Sequence, residues 1–438
     1  MTEASALPRT RRRTIMAWAL WDWGGSAYSA VVVTFVFAPY LTSAVAADKD
    51  AGAAQLGWTM GIAGALVAIV APAAGTRADA GGHHRRWLAI NTGLVVACVL
   101  CMFFIRDEPA FLWPGLVLLG AASIFYTLAE VSYNGLLTRI ATPANTGRIS
   151  GLGWGLGYLG GLAMLVFALF AFIRPEVGLF GAVDAGGLRY RIVAAASGAW
   201  FLLFALPIVF LAPRDRSAPT APEAGARIRS RAGLGSWLES FRLVVERIVA
   251  LWREDRPTLM FFAAAAVYRD GLTTIFSVAG VLAAGSYGFS ASQVIYLGVA
   301  ANLVAGLGCL ASGWFDDRFG PRAVILTGLV CLIAGGLPIA FGDSQALFWV
   351  CAMWLCLFVG PVNASSRSYL ARITPPERAG EDFGLYATTG RAVSFLGPTC
   401  FALFITLFGF QRAGALGIVL VLAAGLVLMR WVPRAGAR

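Results

Sequence analysis

The chain has 438 residues, 58% of them hydrophobic and 13% charged, about half the charged share of an ordinary soluble domain, so a water-soluble fold has no interior large enough for its apolar surface. Its net charge of +11 invites a nucleic-acid reading, but the arginines gather at the ends of apolar runs. The partner this pattern expects is therefore a lipid bilayer and not a nucleic acid.

Spanning a bilayer takes about 20 apolar residues per helix. Such runs occur in chain order at 16–44, 56–74, 87–105, 111–137, 149–173 and 192–211, then at 258–284, 292–314, 323–341, 346–371, 383–407 and 413–432. Arg9, Arg11, Arg12 and Arg13 precede the first run, Arg77, Arg85 and Arg86 follow the second, and Arg139 and Arg148 flank the turn after the fourth. In the alternate loops Asp48, Lys49 and Asp50, and then Arg106, Asp107 and Glu108, nearly cancel. This alternation puts both termini in the cytoplasm. No small-residue cleavage site ends a short apolar region at the amino end, so the first run is expected to stay as a helix. An Ala- and Arg-rich composition with Lys49 as the one lysine suits a GC-rich bacterial genome, so the expected location is a bacterial cytoplasmic membrane. All seven cysteines lie in apolar runs, and the close pair Cys98 and Cys101 sits one turn apart inside one of them. They read as small apolar side chains, and no metal or cofactor is expected.

The predicted organisation is an amino half at 1–211, a linker at 212–257 and a carboxyl half at 258–438. The linker opens with Pro213, Pro219 and Pro222 among small and charged residues, a flexible composition. Further on, Leu234, Trp237, Leu238, Phe241, Val244, Val245, Ile248, Val249 and Trp252 recur at helical spacing, while Glu239, Arg242, Glu246, Arg247 and Arg253 fill other faces. This predicts an amphipathic helix, either lying on the cytoplasmic membrane surface or packed beneath the bundle.

An internal repeat relates the halves. Leu137, Arg139, Ile140, Pro143, Gly147, Gly151 and Gly157 match Leu370, Arg372, Ile373, Pro376, Gly380, Gly384 and Gly390, all offset by 233 positions. Gly75, Asp79 and Gly82 match Gly313, Asp317 and Gly320 at an offset of 238, and Trp21–Gly24 lies opposite Tyr268–Gly271. Two parallel six-helix repeats imply a solute site near the midplane and rocking of one half against the other.

The segments 75–82 and 313–322 fall on the turns between the second and third and between the eighth and ninth helices. In both, Gly permits close helix approach and Asp can accept from backbone N–H groups and basic side chains, a latch. Position and spacing resemble the signature loop of the major facilitator superfamily, which implies its all-α fold of twelve transmembrane helices in two six-helix halves. The resemblance implies a gating role for Asp79 and Asp317, with Arg318, Arg322, Arg367, Arg372 and Glu381 on the same side. The first copy departs from the pattern at Ala80, and His83 and His84 read as part of a solvated turn. A narrower resemblance rests on Trp18, Trp21, Asp22, Ser26 and Tyr28, on Tyr268 to Gly271, and on Ser366, Arg367, Arg372, Pro376, Gly380, Glu381, Phe383, Gly384 and Tyr386. These are similar to the vacuole-effluxer branch of the superfamily, whose fungal members export amino acids from the vacuole after autophagy. The chain departs from that branch at Gly24 and Gly25, where Ala-Asn is more usual, and at Asp382, where an aromatic residue is common.

Ionisable groups at membrane depth carry an insertion penalty of roughly 2.5–3.5 kcal/mol each and mark function by default. Asp22, Glu130, Arg269, Asp270, Arg367 and Arg391 lie in the runs. Asp22 and Arg269 occupy matching places in the repeat, and an acid opposite a base can hold the ammonium and carboxylate of a zwitterion; alternatively Arg269 neutralises Asp270 or Asp22. Glu130 lies one turn before Asn134 and has the neutral Asn363 as its repeat partner, which makes it the candidate for a coupling proton. Tyr28 is a candidate polar contact, and Tyr126, Tyr133, Tyr158 and Trp154 read first as packing. Gly151, Gly153, Gly155, Gly157, Gly160 and Gly161 predict close packing and bending of the fifth helix. No phosphate-cradling loop, metal cluster or large extramembrane domain supports catalysis. The expectation is a monomeric, alternating-access secondary carrier of a small polar solute, with an amino acid favoured by the resemblance. A drug or sugar carrier of the same fold and a non-transporting membrane sensor or scaffold remain as alternatives.

Overall fold

In the computed structural model the described residues are 9–81, 83–181, 185–213 and 234–435. Gly82 of the first signature loop, the linker opening with Pro219 and Pro222, and Arg438 lie outside them. Twelve helices among the described residues are long and apolar enough to cross a membrane, and each contains one of the predicted runs or nearly all of it. They are Arg11–Val45, Gln55–Asp79, His84–Phe104, Pro109–Ile140, Thr146–Ile173, Leu188–Leu211, Arg256–Gly280, Tyr296–Phe319, Pro321–Phe341, Gln345–Ile373, Pro376–Phe408 and Gln411–Arg430. The structure is an all-α membrane protein.

Local chemistry sets where several helices start and bend. Asp255 caps the helix Arg256–Tyr287 by accepting from the Thr258 N–H at 3.2 Å and its hydroxyl at 2.8 Å, and Pro257 sits in the first turn, where its missing N–H removes no helical bond. Ser290 and Gln293 form a capping box at Ala291–Phe319. Two spans are broken by local irregularities. In the first, π-helical turns at Tyr28–Phe35 and Leu41–Val45 bracket a bend at Val36, because Pro39 cannot donate back to the Phe35 carbonyl. The eleventh is interrupted between Ala379–Ala392 and Leu396–Phe408; Pro398 removes the bond to Ser394 there.

The chain forms two compact units. One comprises Met1–Val67, Gly81–Ile140 and Leu156–Ala218; the other comprises Ala68–Ala80, Ala141–Gly155 and Pro219–Arg438. The second unit therefore takes in the end of the second span and the start of the fifth as well as the carboxyl half, a partition that chain order does not follow. In the first unit Ala27, Val31, Met164, Ala168, Phe172 and Val193 form a buried core joining the first, fifth and sixth spans. Gly160 lies so close to the Trp23 carbonyl that a side chain would collide with it, and a Cβ on Gly157 would stand 2.9 Å from Ser26 Oγ. Small residues thus let the fifth span seat on the first. Gly24 and Gly25 admit the sixth and fourth spans in the same way: a Cβ on Gly24 would lie 3.0 Å from Phe204, and one on Gly25 3.1 Å from Tyr126.

In the second unit the amphipathic linker helix Leu234–Glu254 packs on the seventh span. Leu251 and Val244 are buried, whereas Val245, Ile248, Val249 and Trp252 are exposed. One departure concerns the first signature turn: His83 is exposed, but His84 opens the helix His84–Cys101 and is fully buried. The sequence reading placed both in solvent; only one is there.

Candidate functional site

The two signature aspartates do the same thing at two places in the second unit. Asp79 accepts from the N–H of Gly380 at 2.9 Å and of Glu381 at 2.8 Å, in the first turn of Ala379–Ala392. Asp317 accepts from the N–H of Gly147 at 2.8 Å and of Arg148 at 3.2 Å, in the first turn of Thr146–Ala168. The first N–H groups of a helix have no intrahelical partner and carry the positive end of its dipole, so a carboxylate there is doubly favoured. Gly147 and Gly380 are repeat partners, as are Asp79 and Asp317. The two latches are one motif used twice.

Glycines make the approach possible. A Cβ on Gly75 would run into the Gly380 carbonyl, and one on Gly384 would come within 2.7 Å of the Ala71 carbonyl. At the other latch a Cβ on Gly313 would meet Arg148 Cα at 2.7 Å, and one on Gly151 would meet the Cys309 carbonyl at 2.5 Å.

The surroundings of the two carboxylates differ. Asp317 is paired with Arg372 at 3.0 Å and with Arg148 at 3.4 Å. Arg372 also binds Asp316 at 2.7 Å, and Asp316, 1% exposed, accepts from Ser368 at 2.9 Å. Arg367 donates to Ser150 Oγ at 3.0 Å and to its carbonyl at 2.6 Å, and stands over the Trp154 ring at 5.7 Å. The Asp79 latch has more acids in its helix turn. Where one copy has Arg148 the other has Glu381, and Glu381 and Asp382 are both buried. Arg247 of the linker helix pairs with Asp382 at 3.2 Å, and Asp382 also accepts from Thr374 at 3.0 Å.

Of the residues expected to gate, Asp79, Asp317, Arg367, Arg372 and Glu381 converge on the latches. Arg318 is exposed and lies over Trp314 and Phe319 at 5.6 and 5.7 Å. Arg322 grips the carbonyls of Arg430 at 2.8 Å and Val432 at 2.6 Å, at the end of the twelfth span. Asp316, Arg148 and Arg247 were missed. The Asp316-Asp317 doublet and the Arg148/Glu381 mismatch in the repeat were the available signals.

The candidate solute residues fall into two patches, each in its own unit. In the first, Asp22 accepts from Tyr133 at 2.8 Å. Trp18 and Trp21 stack on Tyr133 with centroids 4.5 and 4.3 Å away, and Trp21 also stacks on Tyr126. Tyr28 is buried, shares a 3.0 Å hydrogen bond with Ser123 and packs on Tyr126. Tyr126 feels the charges of both Glu130 and Asp22, and Glu130 and Asn134 are half-buried. Tyrosines expected mainly to pack are thus the residues that hold and surround the acids.

In the second unit Arg269 lies 4.1 Å above the Tyr386 ring, and its Nη1 is buried with no hydrogen-bond partner among the described residues. A desolvated cation over a ring is stabilised by about 2 kcal/mol, yet the buried N–H still lacks an acceptor. Asp270 does not neutralise it by any hydrogen bond or ion pair in the structure. Its carboxylate accepts from the Gly397 N–H at 2.5 Å, capping the second segment of the eleventh span. Asn363 donates to the Val359 carbonyl of its own helix at 3.2 Å, and Arg391 is exposed. A cavity of about 70 Å³ between the seventh, eighth, ninth, tenth and twelfth spans is lined by residues such as Ile275, Leu332 and Ile418 and is too apolar for a polar solute.

The comparisons agree with this architecture. Residues 141–438 match the family model described as vacuole effluxer Atg22 like. The chain is 27% identical over 424 residues to the uncharacterized MFS-type transporter YxiO of Bacillus subtilis (strain 168), covering 95% of this chain and 94% of that protein. It is 24% identical over 346 residues to autophagy-related protein 22 of Cryptococcus neoformans var. neoformans, covering 72% of this chain and 60% of that longer protein. Among solved structures, the E. coli fucose:proton symporter FucP superposes with a TM-score of 0.73 at 14% identity over 97% of this chain and 98% of its own. The proton:xylose symporter XylE does so with 0.72 at 12% identity over 97% and 95%. With twelve spans, duplicated aspartate latches and these relatives, the chain belongs to the Atg22-like vacuole-effluxer family of the major facilitator superfamily and is an MFS-type transporter.

Proposed function

We propose that the protein is a secondary carrier that moves a small polar solute, an amino acid before other classes, across the cytoplasmic membrane by alternating access. The observation that carries this reading is the duplicated latch. Each copy closes on a helix N-terminus through two charge-assisted hydrogen bonds, contacts worth roughly 1.5–3 kcal/mol each, strong enough to hold a state and weak enough to release it. The amino-terminal patch offers two carboxylates, Asp22 and Glu130, suited to an ammonium group. Arg269 offers an unsatisfied N–H suited to a carboxylate. Each unit by itself thus offers a partner to one of the two charged groups of an amino acid.

The test is counterflow of labelled amino acids in liposomes, with a thermal-shift screen of the purified protein against amino acids, peptides and sugars. Exchange of an amino acid, and stabilisation by it that Asp22→Asn or Arg269→Gln removes, supports the reading. Binding without exchange points to a sensor. Stabilisation by sugars alone overturns the amino-acid assignment.

A further inference from the structure

The linker helix meets the acidic latch through an ion pair. Arg247, with a side chain 14% exposed, binds Asp382, whose side chain is 2% exposed. Asp382 sits in the first turn of Ala379–Ala392, the turn whose N–H groups Asp79 caps. That turn brings Asp79, Glu381 and Asp382 together; the charges of Asp79, Asp382, Arg247 and Arg378 all act on Glu381. The equivalent turn of the other latch needs no outside cation, because Arg148 is already there. Arg247 is the linker's answer to an excess of negative charge that its repeat counterpart does not have.

The same helix has a second face. At 100° per residue, Val244, Arg247 and Leu251 form the side turned to the protein, and Val245, Ile248, Val249 and Trp252 form the adjacent, exposed apolar stripe. Beyond that stripe come Arg242 and Glu246, exposed and paired with each other at 3.0 Å. The helix ends at Glu254, and the seventh span begins at Arg256. A helix of 21 residues, about 31 Å long, that joins a membrane span through one residue starts at the level where that span enters the bilayer. Its carboxyl end therefore lies at the bilayer surface, and the occupant that fits an exposed apolar stripe at that level is the acyl and headgroup boundary of the leaflet.

We propose that the linker helix is a lipid-seated clamp: its apolar stripe is buried in the cytoplasmic leaflet while Arg247 holds Asp382 and so keeps the Asp79 latch closed. This inference rests on the gating role of the latch. Hydrogen–deuterium exchange of the full-length protein in phospholipid nanodiscs reads the Gly380 and Glu381 amides directly. Arg247→Gln is expected to speed their exchange several-fold, Ile248→Asn with Val249→Asn to do the same, and Arg247→Asp with Asp382→Arg to restore protection. Asp79→Asn reports on the latch itself. If it speeds exchange and Arg247→Gln does not, the clamp is overturned and the latch stands; if neither changes exchange, both fall. Spin labels on cysteines substituted at Val249 and Glu246, with the native cysteines replaced, test the lipid seat. Greater oxygen than nickel-chelate accessibility at 249, with the reverse at 246, supports it, and equal nickel accessibility at both overturns it.

Discussion

Asp79 and Asp317 hold equivalent N–H groups, but their neighbours make them unequal. Asn at either position keeps one acceptor, loses the charge and turns an amide N–H₂ toward a backbone donor. At Asp317 the loss strands Arg148 and Arg372; leaving a buried charge without its partner costs about 3–5 kcal/mol, tempered here because Arg372 keeps Asp316 and Arg148 is largely exposed. At Asp79 the loss removes a cap, about 1 kcal/mol, and relieves repulsion from Glu381. Asp317→Asn should therefore loosen its latch more than Asp79→Asn loosens the other, seen as faster amide exchange at Gly147 and Arg148 than at Gly380 and Glu381. Gly75→Ala should open the Asp79 latch by a steric route, since its Cβ meets the Gly380 carbonyl and overpacking costs about 1–3 kcal/mol. Gly93→Ala, which meets nothing within 4 Å, is the control and should leave exchange unchanged.

At the scale of elements, the interruption of the eleventh span decides what Asp270 does. Its place in the membrane made it a candidate for solute contact, and its partner, the Gly397 N–H, exists only because the helix restarts there. Asp270→Ala should lower the thermal unfolding temperature by the equivalent of about 1–2 kcal/mol, and Asp270→Asn, which keeps an acceptor, by clearly less. Equal melting of wild type and Asp270→Ala would mean that the cap carries no stability. The fifth span shows a related division: Gly151 packs against Cys309 in one unit, while Gly157 and Gly160 pack against the first span in the other. The predicted close packing was right, but two different partners share one glycine-rich helix.

For the whole molecule, the question is what drives transport. Glu130 is the acid whose repeat partner, Asn363, is neutral, and it is half-buried in the fourth span. If Glu130 carries the coupling proton, Glu130→Gln should retain counterflow, which needs no net proton movement, and lose at least tenfold in uptake driven by a pH gradient. Equal loss of both would assign Glu130 to solute binding, and loss of neither would remove it from the mechanism.

Much of this architecture was legible in the chain because a bilayer imposes a length and an apolar composition on every span, and because duplication leaves constant offsets. Those two facts sufficed for twelve spans, for the signature aspartates and for Gly147 and Gly380 as equivalent positions. They did not suffice for roles that depend on what a side chain meets far along the sequence. Asp270 as a helix cap, Arg322 as a clasp on the twelfth span, Asp316 beneath Arg372, and Arg247 on Asp382 are all pairings across long separations. The physical reason is that hydropathy and periodicity report where a residue lies relative to the membrane, whereas hydrogen bonds and ion pairs act over about 3 Å. Which charges come within that distance is decided only when the helices pack.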